Sequence, residues 1–251
     1  FTRENGLNAC LHLKYIVPTI MTQGTTMTKN VVEKIDALVK IKTILVSVSD
    51  KSGLEAFIPG LLGINPDITI LSTGGTYQRL KEILGGKASA CLKQVSEYTG
   101  QPETQGGLVK TLDFKIYLGL LTETYNDAHK GDLARTNSVP IDMVVVNLYP
   151  FKETISREGV TPEQARGNVD IGGPCMIRAS AKNFIRVAAV VDPGDYDMIG
   201  VEMEKNAGVT SLDLRFRLAQ KAFEHTAGYD RTIADFLASK NQGEVKGCYE
   251  I

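Results

Sequence analysis

The sequence predicts an α/β fold, a mainly parallel β-sheet flanked by helices and followed by a C-terminal helical extension. Three observations carry this. Short apolar, β-branched runs alternate with helical patterns along most of the chain. The run Met143-Val-Val-Val-Asn-Leu148 lacks polar alternation, as a central strand covered on both faces does. From Ser211 onward the pattern changes to one long amphipathic stretch.

In chain order, a first strand is expected over Thr43–Val48 and a helix over Leu54–Leu62, which Pro59 shortens or kinks. Ile68–Leu71 reads as the second strand and Tyr77–Leu84 as the second helix. Strands over Lys93–Val95 and Ile116–Leu121 follow, then a helix over Asn126–Ala134 and the central strand Met143–Leu148. Helices over Pro162–Asn168 and Cys175–Asn183 lead to a strand at Val187–Val191 and a helix at Asp195–Lys205. Leu212, Leu214, Phe216, Leu218, Phe223, Thr226, Ile233, Phe236 and Leu237 then mark one or two terminal helices that pack back on the sheet. This divides the chain into an N-terminal extension, residues 1–42, a core, 43–205, and a helical extension, 206–251.

Composition excludes several classes. With 251 residues, 43% hydrophobic and 23% charged, the chain can bury a substantial core, and no apolar run approaches the roughly 20 residues of a membrane span. Lys plus Arg number 28 against 29 Asp plus Glu, so no global field recruits nucleic acid or an anionic membrane surface. Cys10, Cys91, Cys175 and Cys248 lie far apart and the histidines are His12, His129 and His225, so neither a disulfide framework nor a metal site is expected. Residues 1–30, which begin at Phe1, show no basic segment leading into an apolar run and are not read as a signal peptide; a reducing cytoplasm is the expected location.

Candidate chemistry gathers in five segments. Val46-Ser-Val-Ser-Asp-Lys-Ser-Gly53 ends a strand in hydroxyls and a lysine before a helix, so Ser47, Ser49 and Lys51 suit a phosphate. Leu71-Ser-Thr-Gly-Gly-Thr76 repeats that arrangement with Ser72, Gly74, Gly75 and Thr76. Singly, such residues are as readily helix caps and turns; two cradles at strand ends favour one phosphorylated ligand across a crevice. Neither segment is a Walker loop or a G-x-G-x-x-G fingerprint. The long polar loop Glu97–Leu112 ends in Lys110 and Thr111, candidates for substrate contact. Asn147-Leu-Tyr-Pro-Phe151 puts Tyr149 at a strand's C-terminal edge, and Asn168–Asn183 places Asp170 and two glycines before a helix ending in Lys182.

Taken in order, Ser47-Val-Ser-Asp-Lys51, Ser72-Thr-Gly-Gly-Thr76, Val95-Ser-Glu-Tyr-Thr-Gly100, Val109-Lys-Thr-Leu112, Val146-Asn-Leu-Tyr-Pro-Phe151, Asp170-Ile-Gly-Gly-Pro174 and Ala181-Lys-Asn183 resemble the IMP cyclohydrolase domain of the bifunctional last enzyme of purine biosynthesis, which has a methylglyoxal-synthase-like fold. The likeness runs from about Thr43 to Ser239 and includes Ala222-Phe-Glu-His-Thr-Ala227. It implies closure of the purine ring of 5-formamidoimidazole-4-carboxamide ribotide, with loss of water, to give IMP, and needs no cofactor. It also implies catalytic roles for Lys110, Tyr149, Asp170 and Lys182, and substrate or phosphate contacts for Ser47, Ser49, Lys51, Ser72, Gly74, Gly75, Thr76, Thr111 and Asn147. A homodimer is implied too, and the family's formyltransferase domain has no counterpart in these residues, so a separate formyltransferase is an expected partner.

The chain departs from the family where Gly-Gly-Arg-Val-Lys-Thr-Leu-His-Pro-Lys-Val/Ile-His-Gly-Gly is usual. Leu108 replaces the arginine, Asp113-Phe114 replaces His-Pro, Tyr117 replaces the second histidine and Leu118 a glycine. A cationic fork is lost and a carboxylate gained beside an anionic substrate, which alters its recognition. Two alternatives follow: a catalytically impaired purine-nucleotide-binding paralogue, and a methylglyoxal-synthase-like enzyme, which leaves Asn147–Phe151 and Asp170–Pro174 unexplained.

Overall fold

The computed structural model describes residues 31–101 and 110–250, and residues 34–251 form one compact unit. In chain order its strands and helices are β1 (Leu38–Lys40), β2 (Thr43–Val46), α1 (Leu54–Ile64), β3 (Thr69–Ser72), α2 (Gly74–Leu84), α3 (Ala88–Cys91), β4 (Leu92–Gln94), α4 (Val95–Thr99), α5 (Phe114–Leu121) and α6 (Asp127–Arg135). They continue as β5 (Met143–Val145), α7 (Phe151–Ile155), α8 (Pro162–Gly167), α9 (Gly172–Lys182), β6 (Ala188–Val190), α10 (Tyr196–Lys205), β7 (Val209–Ser211), α11 (Leu212–Ala238) and α12 (Gln242–Lys246).

Five strands make a wholly parallel sheet in the order β4-β3-β2-β5-β6, as the unalternated strand pattern requires. Period-two alternation sends Ile44, Val46, Ile70, Met143 and Val145 into one core layer with Leu54, Ile58, Leu61 and Ile199 of α1 and α10. Leu45, Leu71, Val144 and Ala189 face the other way, onto Ile116, Leu120, Met176 and Ile177 of α5 and α9 and Ala219 and Ala222 of α11. Pro59 lies inside α1, which nonetheless runs its full 11 residues.

One expected strand is a helix. Residues 116–121 belong to α5, because Asp113 caps its start by accepting the Lys115 N–H at 2.8 Å, and Ile116 and Leu120, four apart, face the core. Short apolar runs satisfy either period, and here the cap decides.

The second sheet pairs β1 antiparallel with β7, through Leu38↔Ser211 and Lys40↔Val209. Residues 34–42, grouped from sequence with the N-terminal extension, therefore lie within the compact unit. Arg215 is fully buried and locks this junction, donating to the carbonyls of Asp36 (2.8 Å), Phe184 (3.0 Å) and Ile185 (3.2 Å); burial pushes its guanidinium down to about 10. At the N-terminal edge of the large sheet, Arg186 donates to Asp142 at 2.9 Å and to the Thr122 carbonyl at 3.0 Å. Asp142 also accepts the N–H groups of Lys42 and Thr43, so this buried pair ties β2 to β5. No described helix is long and apolar enough to cross a membrane.

Candidate functional site

Strand order reverses at β2, whose neighbours are β3 on one side and β5 on the other. In such sheets the crevice outside the carboxyl ends of the two diverging strands is where ligands bind. Ser47 follows β2 and Asn147 follows β5, so the switch point coincides with two of the sequence candidates.

Asn147 holds the crevice floor together. Its Oδ1 accepts the N–H groups of Ser49 (2.7 Å) and Asp50 (2.9 Å), and its Nδ2 donates to the Asp50 carbonyl at 2.8 Å. The side-chain amide thus shapes the 47–53 loop. Lys51 Nζ folds back to the Ser49 carbonyl at 3.2 Å, and the Ser52 hydroxyl and N–H hold the Asp50 carboxyl below its ordinary range.

The second cradle divides likewise. Ser72 is fully buried and its hydroxyl donates to the Val46 carbonyl at 2.7 Å; Thr76 is buried, accepting the Val48 N–H at 3.1 Å and donating to the Val48 carbonyl at 3.0 Å. Both hydroxyls bind strand to loop. What remains for an anion is the start of α2, whose first turn carries no acidic residue, with Ser47 Oγ 3.3 Å from Thr73 Oγ1 beside it. Gly74 sits at φ +49, and a Cβ there would lie 3.5 Å from Lys110 Nζ, so Lys110 reaches across to this helix start. A Cβ on Gly75 would meet nothing within 4 Å.

Asp170 approaches from the other side. Its N–H donates to Tyr229 Oη at 2.8 Å and its Oδ1 accepts the Gly173 N–H at 2.9 Å, fixing the carboxylate at the start of α9. A Cβ on Gly172 would lie 2.7 Å from Thr111 Oγ1, and one on Gly173 would lie 2.6 Å from Leu148 Cδ2, so glycine alone lets the 110–111 turn, the end of β5 and α9 converge. Tyr149 is exposed at this rim. Tyr117 stands near the same turn; burial, then nearby Cys175 and Asp170, raises its phenol above the ordinary range.

Lys182 is not brought here. It closes the 11-residue α9, whose axial length at about 1.5 Å per residue is roughly 16 Å, and it is exposed at the end opposite Asp170. Its neighbour Asn183 donates to the carbonyls of Leu120 and Thr122, at the far end of α5. Within one copy of the chain, Lys182 therefore stands a whole helix away from Asp170. Leu108 lies outside the described residues. A residue missed in the sequence is Gln101, which lines a notch of about 20 Å³ with Ser72, Thr73, Gln94, Ser96 and Lys110. The only sequence signal for it is Thr99-Gly100, a helix stop that re-aims the next residue.

This geometry is matched by likeness to known proteins. Residues 60–175 match the MGS-like domain and residues 180–250 the AICARFT/IMPCHase bienzyme family. The Bifunctional purine biosynthesis protein PurH of Thermoanaerobacter sp. (strain X514) is 48% identical over 203 residues, 81% of this chain and 38% of that protein. Its namesake from Synechococcus sp. (strain CC9605) is 45% identical over 204 residues, with the same shares. The crystal structure of ForH superposes with a TM-score of 0.66 at 30% identity, covering 79% of this chain and 100% of that one.

The chain belongs to the AICARFT/IMPCHase bienzyme family, to its MGS-like part.

It spans 38% of the length of the two PurH proteins. The AICARFT/IMPCHase match falls on α9's last three residues, β6, α10, β7, α11 and α12, and the MGS-like match on the second cradle and the Lys110 and Asp170 turns.

Proposed function

We propose that this chain is an IMP cyclohydrolase, closing the purine ring of 5-formamidoimidazole-4-carboxamide ribotide with loss of water. The observation that carries the reading is the approach of Lys110 to the acid-free start of α2 while its neighbour Thr111 packs against Gly172 in the Asp170 turn. The ribotide phosphate takes the α2 start, Ser47 and Lys51; its heterocycle then lies between Lys110, Tyr149 and Asp170. The carboxamide nitrogen attacks the formyl carbon while Asp170 accepts its proton. Lys110 holds the carboxamide oxygen and acidifies that N–H; Tyr149 gives one proton to the formyl oxygen and Asp170 returns the other, so that it leaves as water while the formamide N–H passes back to Tyr149 and the ring C=N forms. Cyclisation within one molecule needs positioning, proton transfer and oxyanion stabilisation, which these groups supply. A homodimer and a cytoplasmic location complete the proposal.

The test is to incubate the chain with the formylated ribotide and follow IMP spectroscopically. Lys110→Ala is expected to lose on the order of 100-fold or more in kcat, the range of a positioned proton-transfer or charge-stabilising group. Wild type that binds IMP without turning over the ribotide would replace this reading with that of a nucleotide-binding paralogue.

A further inference from the structure

The notch at the ends of β3 and β4 contains a group that ring closure leaves unexplained. Gln101 Oε1 is buried, and among the described residues no hydrogen-bond donor reaches it. Its position is built by the backbone. Gly100 ends α4 at φ +79 with its N–H on the Ser96 carbonyl at 2.9 Å. The Gln101 N–H then donates at 3.2 Å to Thr99 Oγ1, which itself donates to the Val95 carbonyl at 2.9 Å. A buried amide oxygen held in this way, with no donor, calls for one from a ligand.

The hydroxyls around the notch have other partners: Ser72 donates to Val46, Thr73 lies against Ser47, and Ser96 donates to Gln94 Oε1 at 3.4 Å. Among the groups lining the space are the Lys110 ammonium, which only donates, and the unpartnered Gln101 Oε1, which only accepts. At about 20 Å³ the notch admits the edge of one small polar group.

We infer that Gln101 and Lys110 together read an amide edge of the ligand's heterocycle, the N–H going to Gln101 Oε1 and the adjoining carbonyl to Lys110 Nζ. Gln101 is then a specificity-determining residue that selects 6-oxopurine ribotides, and their open carboxamide precursors, over 6-aminopurine ones. A 6-aminopurine reverses the pattern: its ring nitrogen turns a lone pair toward Gln101 Oε1 and its amino group turns hydrogens toward an ammonium. The inference rests on the ribotide reading above.

Calorimetry on the full chain separates the two claims, with IMP, AMP and ribose 5-phosphate titrated into wild type, Gln101→Met and Gln101→Glu, each first shown to melt as wild type does. Wild type is expected to prefer IMP over AMP by roughly 10- to 100-fold, the range for one buried hydrogen-bonding group left unpaired. Gln101→Met should reduce that preference to within about threefold while ribose 5-phosphate binds unchanged, and Gln101→Glu, which keeps an acceptor, should retain it. Equal IMP and AMP binding to wild type, or a preference that survives in Gln101→Met, overturns the role of Gln101 and leaves the ribotide reading intact. If neither IMP nor ribose 5-phosphate binds wild type, the ribotide reading falls and this inference with it.

Discussion

Gly173→Ala tests the Asp170 turn directly. A methyl at this position would lie 2.5 Å from Asp170 Oδ2 and 2.6 Å from Leu148 Cδ2, distances no carbon sustains. The carboxylate or the end of β5 must move, while the Gly173 N–H that Asp170 Oδ1 accepts at 2.9 Å pulls the other way. Overpacking of this kind costs about 1–3 kcal/mol, which for a chain of this size lowers Tm by roughly 2–12 °C. The effect on ring closure is expected to be larger, on the order of 100-fold in kcat, because a displacement of about 1 Å at a reacting group has that consequence. Differential scanning calorimetry and the spectroscopic IMP assay give both numbers. Gly75→Ala is the comparison, since a Cβ there meets nothing within 4 Å and its φ is ordinary; its Tm is expected at or slightly above wild type. A Gly173→Ala protein with wild-type Tm and wild-type turnover would refute the placement of the Asp170 carboxylate and its part in the reaction.

Asn147→Ala removes three hydrogen bonds to the 49–50 loop; stability in urea should fall by about 1–3 kcal/mol, and IMP affinity by calorimetry should weaken with it. Arg186→Met strands Asp142 as an unpaired buried carboxylate, at a cost of about 3–5 kcal/mol read from urea midpoints, whereas Lys130→Met, at an exposed pair, should change stability by under about 1 kcal/mol. Burial depresses His225, so the folded chain disfavours its protonated form; stability from this group is full above the unfolded value of about 6.5 and is lost as pH falls through the lower folded one. Tm should therefore drop between pH 7.5 and 5.5 by more in wild type than in His225→Gln, and an equal drop would assign the acid sensitivity elsewhere.

The layout of the sheet was legible because a parallel strand covered on both faces has no choice but to be apolar throughout, as Met143–Val145 is. Residues 116–121 were not, because their apolar run suits a strand or a helix and only Asp113, which reads equally as a lost histidine, distinguishes them. The three-residue β1 and β7 escape any period count; they exist through pairing across the chain and through Arg215. At the site, the strand ends and turns that carry Ser47, Gly74, Lys110 and Asp170 were legible. The inward commitment of Ser72, Thr76 and Asn147 was not, since a hydroxyl or amide at a strand end has the same signature whether it meets a ligand or a carbonyl. Lys182 and Asp170, close in sequence, are held apart in one copy of the chain by the length of α9.

The strand order also sets when the crevice exists. Its β3 wall lies close to β2 in sequence, but its β5 wall is joined to β2 by contacts such as Lys42 to Asp142, 100 positions apart. Local pieces of the first half can assemble early, while closing so long a loop is the slow, entropically opposed part of folding. The Asn147 clasp on Ser49 and Asp50, 98 and 97 positions away, forms only after that closure. A ligand that needs both walls, as the proposed ribotide does, therefore has nothing to hold in the half-assembled chain. It acts on the lifetime of the finished molecule, slowing the departure of β5, and leaves the rate of arrival untouched.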